Sequence, residues 1–435
     1  MVLIKVIKLN LIKWDGDSMD ICYSFVNDQI KKHLVQYRRD FHRNPELGWL
    51  EVRTTEVIAK HLNELGYEVY VGEAVCDMDS RLDVQKDMTT CTGVIGILRG
   101  KNSNKKVAAF RFDMDALPIQ EAKTEKNDRY CSTNNGVMHA CGHDGHMAVG
   151  LALAEIFKHN QEQIEGEIRL IFQPAEEGCK GAKSVVAKGW LDDVDEFYSG
   201  HIGIGCRELG QIGACMRGFL ASTKLNIYFH GRAAHAANAP EQGRNALLAA
   251  ADFIVRVYAF YKTCSEDTRM NVGRLISGSA RNIIADEAYL EVETRGQTSK
   301  SNQSLYENIS RIAKETADVY GVTCEIITVG DVGTGKSDRE LAVCGYDIAC
   351  DMGIGEKYKK DAVFNASEDV VTMMNYVQNC GGKAAYFMFG TELTAEHHHP
   401  CFDFDEEVLS VMTEFYAKVL LKNKIGHTIM DKYDV

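Results

Sequence analysis

Residues 166–178 read GEIRLIFQPAEEG: an apolar run that opens on a glycine, meets a proline, and ends in two adjacent glutamates. The run is short, rich in Ile, Leu and Phe, and bounded by Gly166 and Pro174, the pattern of a buried strand. Just upstream, MAVGLALAEIFKH (147–159) reads as a helix, while TGVIGILRG (92–100) and KVAAFRFDMDAL (106–117) read as further buried strands. Strands alternating with helices predict an α/β sheet covered on both faces. Chemistry in such sheets gathers in the loops beyond the strand ends, which is where Glu176, Glu177 and the aspartates of FRFDMDAL fall.

Towards the N-terminus, QIKKHLVQYRRDFHRNPELG (29–48) reads as a helix stopped by Pro45 and Gly48, and TTEVIAKHLNELG (54–66) as a second ending on Gly66. The texture changes after Met216. TKLNIYFHG (223–231), RMNVGRLISGS (269–279), DEAYLEVETRG (286–296) and VTCEIITVG (322–330) read as strands, with helices in GRNALLAAADFIVRVYAFY (243–261) and SLYENISRIAKETADVYG (304–321). That β-α-β-β-α-β order is ferredoxin-like. The fold expected is therefore a two-domain α/β protein: a catalytic domain built from 19–216 and 333–435, with a small α+β domain, 217–332, inserted into it. Residues 1–18 are set aside as a tail.

The chain has 435 residues, long enough for two cores, and its net charge of −13 (49 basic against 62 acidic residues) disfavours nucleic acid as a partner. Its 14 cysteines are scattered along a long chain, as free thiols in a reducing cytoplasm would be. The opening MVLIKVIKLNLIKW is too short to span a bilayer and is broken by lysines, so no membrane attachment is expected.

The stretch MHACGHDGH (138–146) holds three histidines, an aspartate and a cysteine. Cys141 and His143 form a Cys-x-His pair on a glycine-containing turn, without the second close pair that a structural zinc site requires and without the C-x-x-C of a redox site. His201 ends the apolar strand FYSGHIG, and His397, His398 and His399 follow far downstream. Taken with Glu177, these give the mixed S, N and O donors that suit zinc, manganese or cobalt in an open catalytic site. Glu176 is then free to act as a base. Read alone, the Glu176–Glu177 pair would pass for solvated loop charge. GDVGTGKS (330–337) matches G-x-x-x-x-G-K-[ST] and keeps a nucleotide-binding reading as a remote alternative, for no aspartate-ending strand accompanies it.

At these residues the sequence resembles the metal-dependent amidohydrolases and peptidases that include carboxypeptidase G2, the aminoacylases, hippurate hydrolase and the plant auxin-conjugate hydrolases. The matching stretches are RRDFHRNPELGWLE, FRFDMDALPIQE, MHACGHDGH, FQPAEEG, GRAAHAANAPEQGRNAL, SGSARNIIADEAYLEVETRG, NASED and FDFDEE, spread from about residue 36 to the C-terminus. The resemblance implies two divalent metal ions, Mn or Zn, bridged by the Cys141 thiolate, with His143, Glu177, His201 and His398 as further ligands. Counting back from Phe402 selects His398, with His397 its neighbouring alternative. It makes Glu176 the general base and Asp113 the carboxylate that orients a metal ligand. It makes the inserted domain a lid and dimerisation unit, whose His235 polarises the scissile carbonyl in a neighbouring protomer. Asn282 and Arg295 would hold a substrate carboxylate. The activity implied is hydrolysis of the amide of p-aminobenzoyl-glutamate, with other N-acyl amino acids or dipeptides next. The partner is a second copy or a related chain; a non-catalytic member of such a pair is an alternative, against which stands the presence of every expected ligand and the base.

Overall fold

The structure is a computed structural model that describes residues 24–84, 88–101, 106–264 and 267–422; the tail 1–18 lies outside them. Helix α1 (Asp28–Arg43) begins where the Asn27 side chain accepts the N–H groups of Gln29 and Ile30, and it buries Ile30, Leu34 and Phe41. Helix α2 (Val52–Glu64) buries Ile58 and Leu62 and is closed by Gly66 in the left-handed region.

The larger sheet takes β1 (Glu68–Val71), β2 (Val94–Arg99), β3 (Val107–Asp113), β4 (Glu167–Gln173), β5 (Glu196–Ile202), β6 (Ile212–Phe219), β11 (Tyr358–Ala366) and β12 (Lys383–Phe389). Their spatial order is β1-β2-β4-β3-β5-β12-β6-β11. The central four, β4, β3, β5 and β12, run parallel; β2 is antiparallel to β4 and β1 to β2, while on the other side β6 is antiparallel to β12 and β11 runs parallel to β6. GEIRLIFQ supplies β4, buried at every position. Ile168, Leu170 and Phe172 face the core shared with α1, with α3 (His143–His159) and with α9 (Glu407–Lys422). Ile171 faces the other core, beneath α4 (Ala182–Ala187) and α8 (Val370–Asn379). Each such side chain contributes about 1.5–3 kcal/mol on burial, which is why the apolar run overrides any local preference. Helix α3 lies so close to the sheet that a Cβ on Gly150 would come within 2.7 Å of the Phe112 and Phe172 rings.

The smaller sheet is formed by β7 (Ala221–His230), β8 (Thr268–Ser277), β9 (Glu287–Gly296) and β10 (Thr323–Val332), in the order β10-β7-β9-β8 and antiparallel throughout. Helices α5 (Ala246–Tyr261) and α6 (Ser299–Tyr320) cover one face and enclose a core of its own, with Ile227, Phe229, Leu290, Phe253 and Ile309. This is the ferredoxin-like arrangement. Strand β6 stays paired to β11 as far as Phe219, so the crossing into the smaller sheet falls at Leu220, beyond the 217 read from the sequence.

The GDVGTGKS segment leaves β10 and enters α7 (Arg339–Asp351) as a strap. Ser337 is buried, its hydroxyl accepting the Tyr386 N–H at 2.9 Å, and Gly330, Gly333 and Gly335 all stay out of the left-handed region. A phosphate-cradling nest needs a backbone turned inwards and a free hydroxyl for Mg²⁺. The remote nucleotide reading is thus corrected: this loop is a connector pinned to β12.

Candidate metal centre and active site

The donors collect where the parallel strands β3, β4 and β5 end. Helix α3 starts at His143, earlier than the apolar pattern suggested, because Gly142 adopts φ +96° and turns the chain from Cys141 directly into the helix. Cys141, buried, lies with Sγ 3.4 Å from His201 Nε2. The His143 Nδ1–H donates to the Asp115 carbonyl at 2.8 Å, which aims Nε2 into the centre. His201 Nδ1 lies 2.8 Å from the Ile202 carbonyl and so leaves its own Nε2 towards Cys141.

Glu176 and Glu177 sit on a loop that the chain would not adopt unaided, since Ala175 and Cys179 both have φ above +50°. Two buried carboxylates hold it. Glu51 accepts the Ala175 N–H at 2.8 Å, and the two oxygens of Asp115 accept the N–H groups of Glu176 and Glu177, each at 2.9 Å. Strain of this kind, about 1–3 kcal/mol per residue, persists only where such contacts over-determine it. His398 reaches the centre from the far end of the chain. Its backbone takes φ +63°, its N–H donates to the Ala140 carbonyl, and its Nε2 lies 3.3 Å from Glu177 Oε1. His397 is turned the other way, with Nε2 3.0 Å from the Ile202 carbonyl and its ring against Phe402. Of the two, the geometry brings His398 to the donors.

The structure also redistributes the aspartates. Asp113, expected to orient a ligand, places Oδ1 2.6 Å from His146 Nδ1 and takes Arg111 Nη1 on Oδ2 at 2.7 Å; it stands 3.9 Å from His143 Nε2. Asp115 is the residue the sequence reading missed, although FRFDMDAL carries it in plain view. A second omission is the buried Arg111, which links Gln173, Asp113, Glu368 and Asp369 beneath Glu176. Glu368 and Asp369 come from NASED, a motif noted for its resemblance and given no role.

The electrostatics describe a pocket that calls for positive charge. Burial, then the carboxylates of Glu368, Glu177 and Asp369, push Glu176 well above the usual carboxylate range. Burial and the neighbouring Glu177 and Glu176 raise the Cys141 thiol. Burial works against a charged His143, but Asp113, Asp115 and Glu177 outweigh it and lift that imidazole to about 10. His201, by contrast, is pushed well below its usual value by burial and then by His146 and His397. Divalent cations fit this set. His143 Nε2 and Glu177 Oε1 are buried and make no hydrogen bond, and Cys141 belongs both to a group with His143 and His201 and to one with Glu177 and His398. A thiol shared between two donor groups is the arrangement of a bridging ligand.

The remaining expected residues lie in the smaller sheet's part of the chain. His235 and Asn282 stand together at its tip, where the Ala236 N–H donates to the Asn282 carbonyl at 3.0 Å. His235 Nδ1 accepts the N–H groups of Ala237 and Asn238, at 3.2 and 3.1 Å, so its Nε2 carries the proton and faces outward as a donor. Arg295 lies at the opposite end of β9, where it pairs with Glu293 at 3.0 Å. The eight residue-to-residue steps from Glu287 to Arg295 span roughly 27 Å. The structure thus joins Cys141, His143, Glu176, Glu177, His201 and His398, and sets His235 with Asn282 apart from Arg295.

Such a centre is that of a metal-dependent amidohydrolase, and the chain belongs to peptidase family M20/M25/M40, whose pattern matches residues 109–422. It is 37% identical to one of the subunits of the p-aminobenzoyl-glutamate hydrolase of Escherichia coli, over 93% of this chain and 98% of that one. It is also 37% identical to an indole-3-acetyl-aspartic acid hydrolase of Enterobacter agglomerans, over 90% and 96%. Among solved structures, an aminobenzoyl-glutamate utilization protein from Klebsiella pneumoniae superposes with a TM-score of 0.76 at 33% identity, covering 91% of this chain and 96% of that one. A Bacillus subtilis member of the family, described as a dinuclear metal binding peptidase, superposes with a TM-score of 0.68 at 26% identity, over 92% and 99%.

Proposed function

We propose that this chain hydrolyses the amide of p-aminobenzoyl-glutamate to 4-aminobenzoate and glutamate, using two ions of Mn or Zn held by Cys141, His143, Glu177, His201 and His398. The observation that carries the reading is the Asp115 clamp. It fixes the base Glu176 and the donor Glu177 as one rigid pair against His143. The two cations would supply Lewis-acid activation of water and of the amide carbonyl. Glu176, whose raised affinity for protons suits it to accept one, takes a proton from the attacking water and delivers it to the leaving nitrogen. The His235 Nε2–H donates to the developing oxyanion, and Arg295 with Asn282 holds a carboxylate of the substrate.

The separation along β9 supports a composite site: Arg295 from one chain, His235 and Asn282 from the tip of another. The inserted unit, residues 217–332 on the sequence reading, then serves as lid and dimerisation domain between the two catalytic segments, 19–216 and 333–435. The second chain is another copy or a related one, since the Escherichia coli relative is named as one subunit of its enzyme. Other N-acyl amino acids form the second substrate class, favoured by a 31% identical hippurate hydrolase of Campylobacter jejuni. A cytoplasmic setting suits the unjoined cysteines, and no helix among the described residues is long and apolar enough to cross a membrane.

The test is release of 4-aminobenzoate by protein reconstituted with Mn²⁺ or Zn²⁺, with hippurate and acetyl-amino acids alongside. Activity on p-aminobenzoyl-glutamate that a chelator abolishes, and that Glu176→Ala removes while the metals stay bound, supports the reading. Full activity of Glu176→Ala overturns it.

A further inference from the structure

The geometry points to Arg281 as the residue that selects dicarboxylic substrates, by binding the side-chain carboxylate of the amino acid released. This rests on the composite site proposed above and deepens it. Two relatives at the same 37% identity are named for amides of glutamate and of aspartic acid, and their acyl groups, aminobenzoyl and indole-acetyl, have little in common. What the two compounds share is a second carboxylate. Arg295 can neutralise one; Asn282 has no charge, and His235 is engaged with the carbonyl. On a chain of net charge −13, a dianionic amino acid needs another local cation.

The tip that carries His235 offers three arginines, and their hydrogen bonds tell them apart. Arg232 donates from Nε to the Gln242 carbonyl, and Arg244 donates from Nη1 to the Gly243 carbonyl at 2.8 Å. Both are bound into the fold of the tip. Arg281 is exposed and has no hydrogen-bond or ion-pair partner among the described residues. Its place is nevertheless fixed, because the turn around it is closed on both sides. The Ile283 N–H donates to the Ala280 carbonyl at 3.3 Å, the Ile284 N–H to the Ala234 carbonyl at 2.9 Å, and His235 bridges to Ile283 across the two loops. A guanidinium one residue from Asn282, on a backbone that is already ordered and with its whole donor fork unspent, is suited to bidentate capture of a carboxylate. The backbone of the loop is already ordered by its own hydrogen bonds, so the remaining entropic cost of the contact is that of fixing the Arg281 side chain.

The test compares p-aminobenzoyl-glutamate with p-aminobenzoyl-glycine, which has the same aryl amide and lacks the second carboxylate. Metal-loaded, assembled enzyme is assayed as wild type, Arg281→Met and Arg281→Lys. Losing one charge-assisted pair should lower kcat/KM for the glutamate amide by about 50-fold in Arg281→Met, chiefly through KM. The glycine amide should then change by no more than about twofold, the scatter of an unrelated surface substitution. Arg281→Lys should recover part of the loss. Equal losses on both substrates, or none on either, overturn the assignment while the amidase reading stands. A wild type that cleaves neither amide overturns the functional reading, and this inference with it.

Discussion

Replacing Asp115 by Asn changes a single atom in the centre. The carboxylate now accepts two backbone N–H groups, from Glu176 and Glu177, each at 2.9 Å, while the carbonyl of the same residue accepts the His143 Nδ1–H. An Asn side chain can keep one acceptor in place but must turn an NH₂ group towards the other N–H, so one buried donor loses its partner and meets a second donor. A hydrogen bond to a charged acceptor contributes about 1.5–3 kcal/mol, so the loss is about 2 kcal/mol, or roughly 30-fold in an equilibrium constant. The loop it holds carries Glu177 and Glu176, the proposed metal donor and base, which links that loss to function twice over. Competition of Zn²⁺ against a chromophoric chelator should show at least one site weakened by about 10–100-fold, the range typical of residues that support ligands. kcat/KM, measured with metal in excess, should fall as well, because Glu176 is no longer aimed. If Asp115→Asn binds both metals as the wild type does and turns over within about twofold of it, the clamp is not what organises this site.

Three further expectations follow from the same geometry. His398→Ala should lower metal content in an apo-to-holo titration, while His397→Gln, which leaves the Glu177–His398 approach intact, should keep it near wild type. Mixing inactive Glu176→Ala with inactive His235→Ala should restore activity, to about one quarter of wild type for random dimers, since half the molecules then hold one intact site of two; no recovery would rule out shared sites. Asp144 is held below the usual carboxylate range because Arg38 and His42 outweigh the effect of its burial. A carboxylate whose folded pKa is depressed contributes stability above its unfolded pKa of about 4 and loses it as pH falls further. Denaturation of metal-free protein should therefore show Asp144→Asn less stable than wild type at pH 6, with the gap closing below about pH 4.

Much of the fold was legible because burial on both faces writes itself as apolar runs: IRLIF and VIGIL read as strands covered on both sides. The spatial order of the strands was not legible, since β6 finds its partner β11 only after the chain has built another sheet between them. In the centre, residue types announced the chemistry, and long-range geometry decided who did what. Asp113 and Asp115 are two positions apart in one motif. Only the way β3 ends beside the 175–179 loop reveals that the second aspartate holds that loop while the first serves His146 and Arg111. His397 and His398 are likewise adjacent and alike, and a single left-handed residue sends them to opposite sides. Gly142 moved the helix start in the same manner: its freedom is visible in the sequence, but the use made of it depends on where Cys141 must point.

The length of β9 has a consequence for how the enzyme would behave in a dilute cell extract. Ten extended residues act as a spacer that keeps Arg295, the proposed carboxylate anchor, away from the tip that carries the same chain's His235. On the composite reading, working sites then exist only in proportion to assembled pairs. Specific activity would drop as the protein is diluted past the dissociation constant of the pair, and progress curves started from a concentrated stock would slow over time as pairs separate. A lag or a decay that depends on protein concentration would then be a property of one strand's length rather than of the chemistry at the metals.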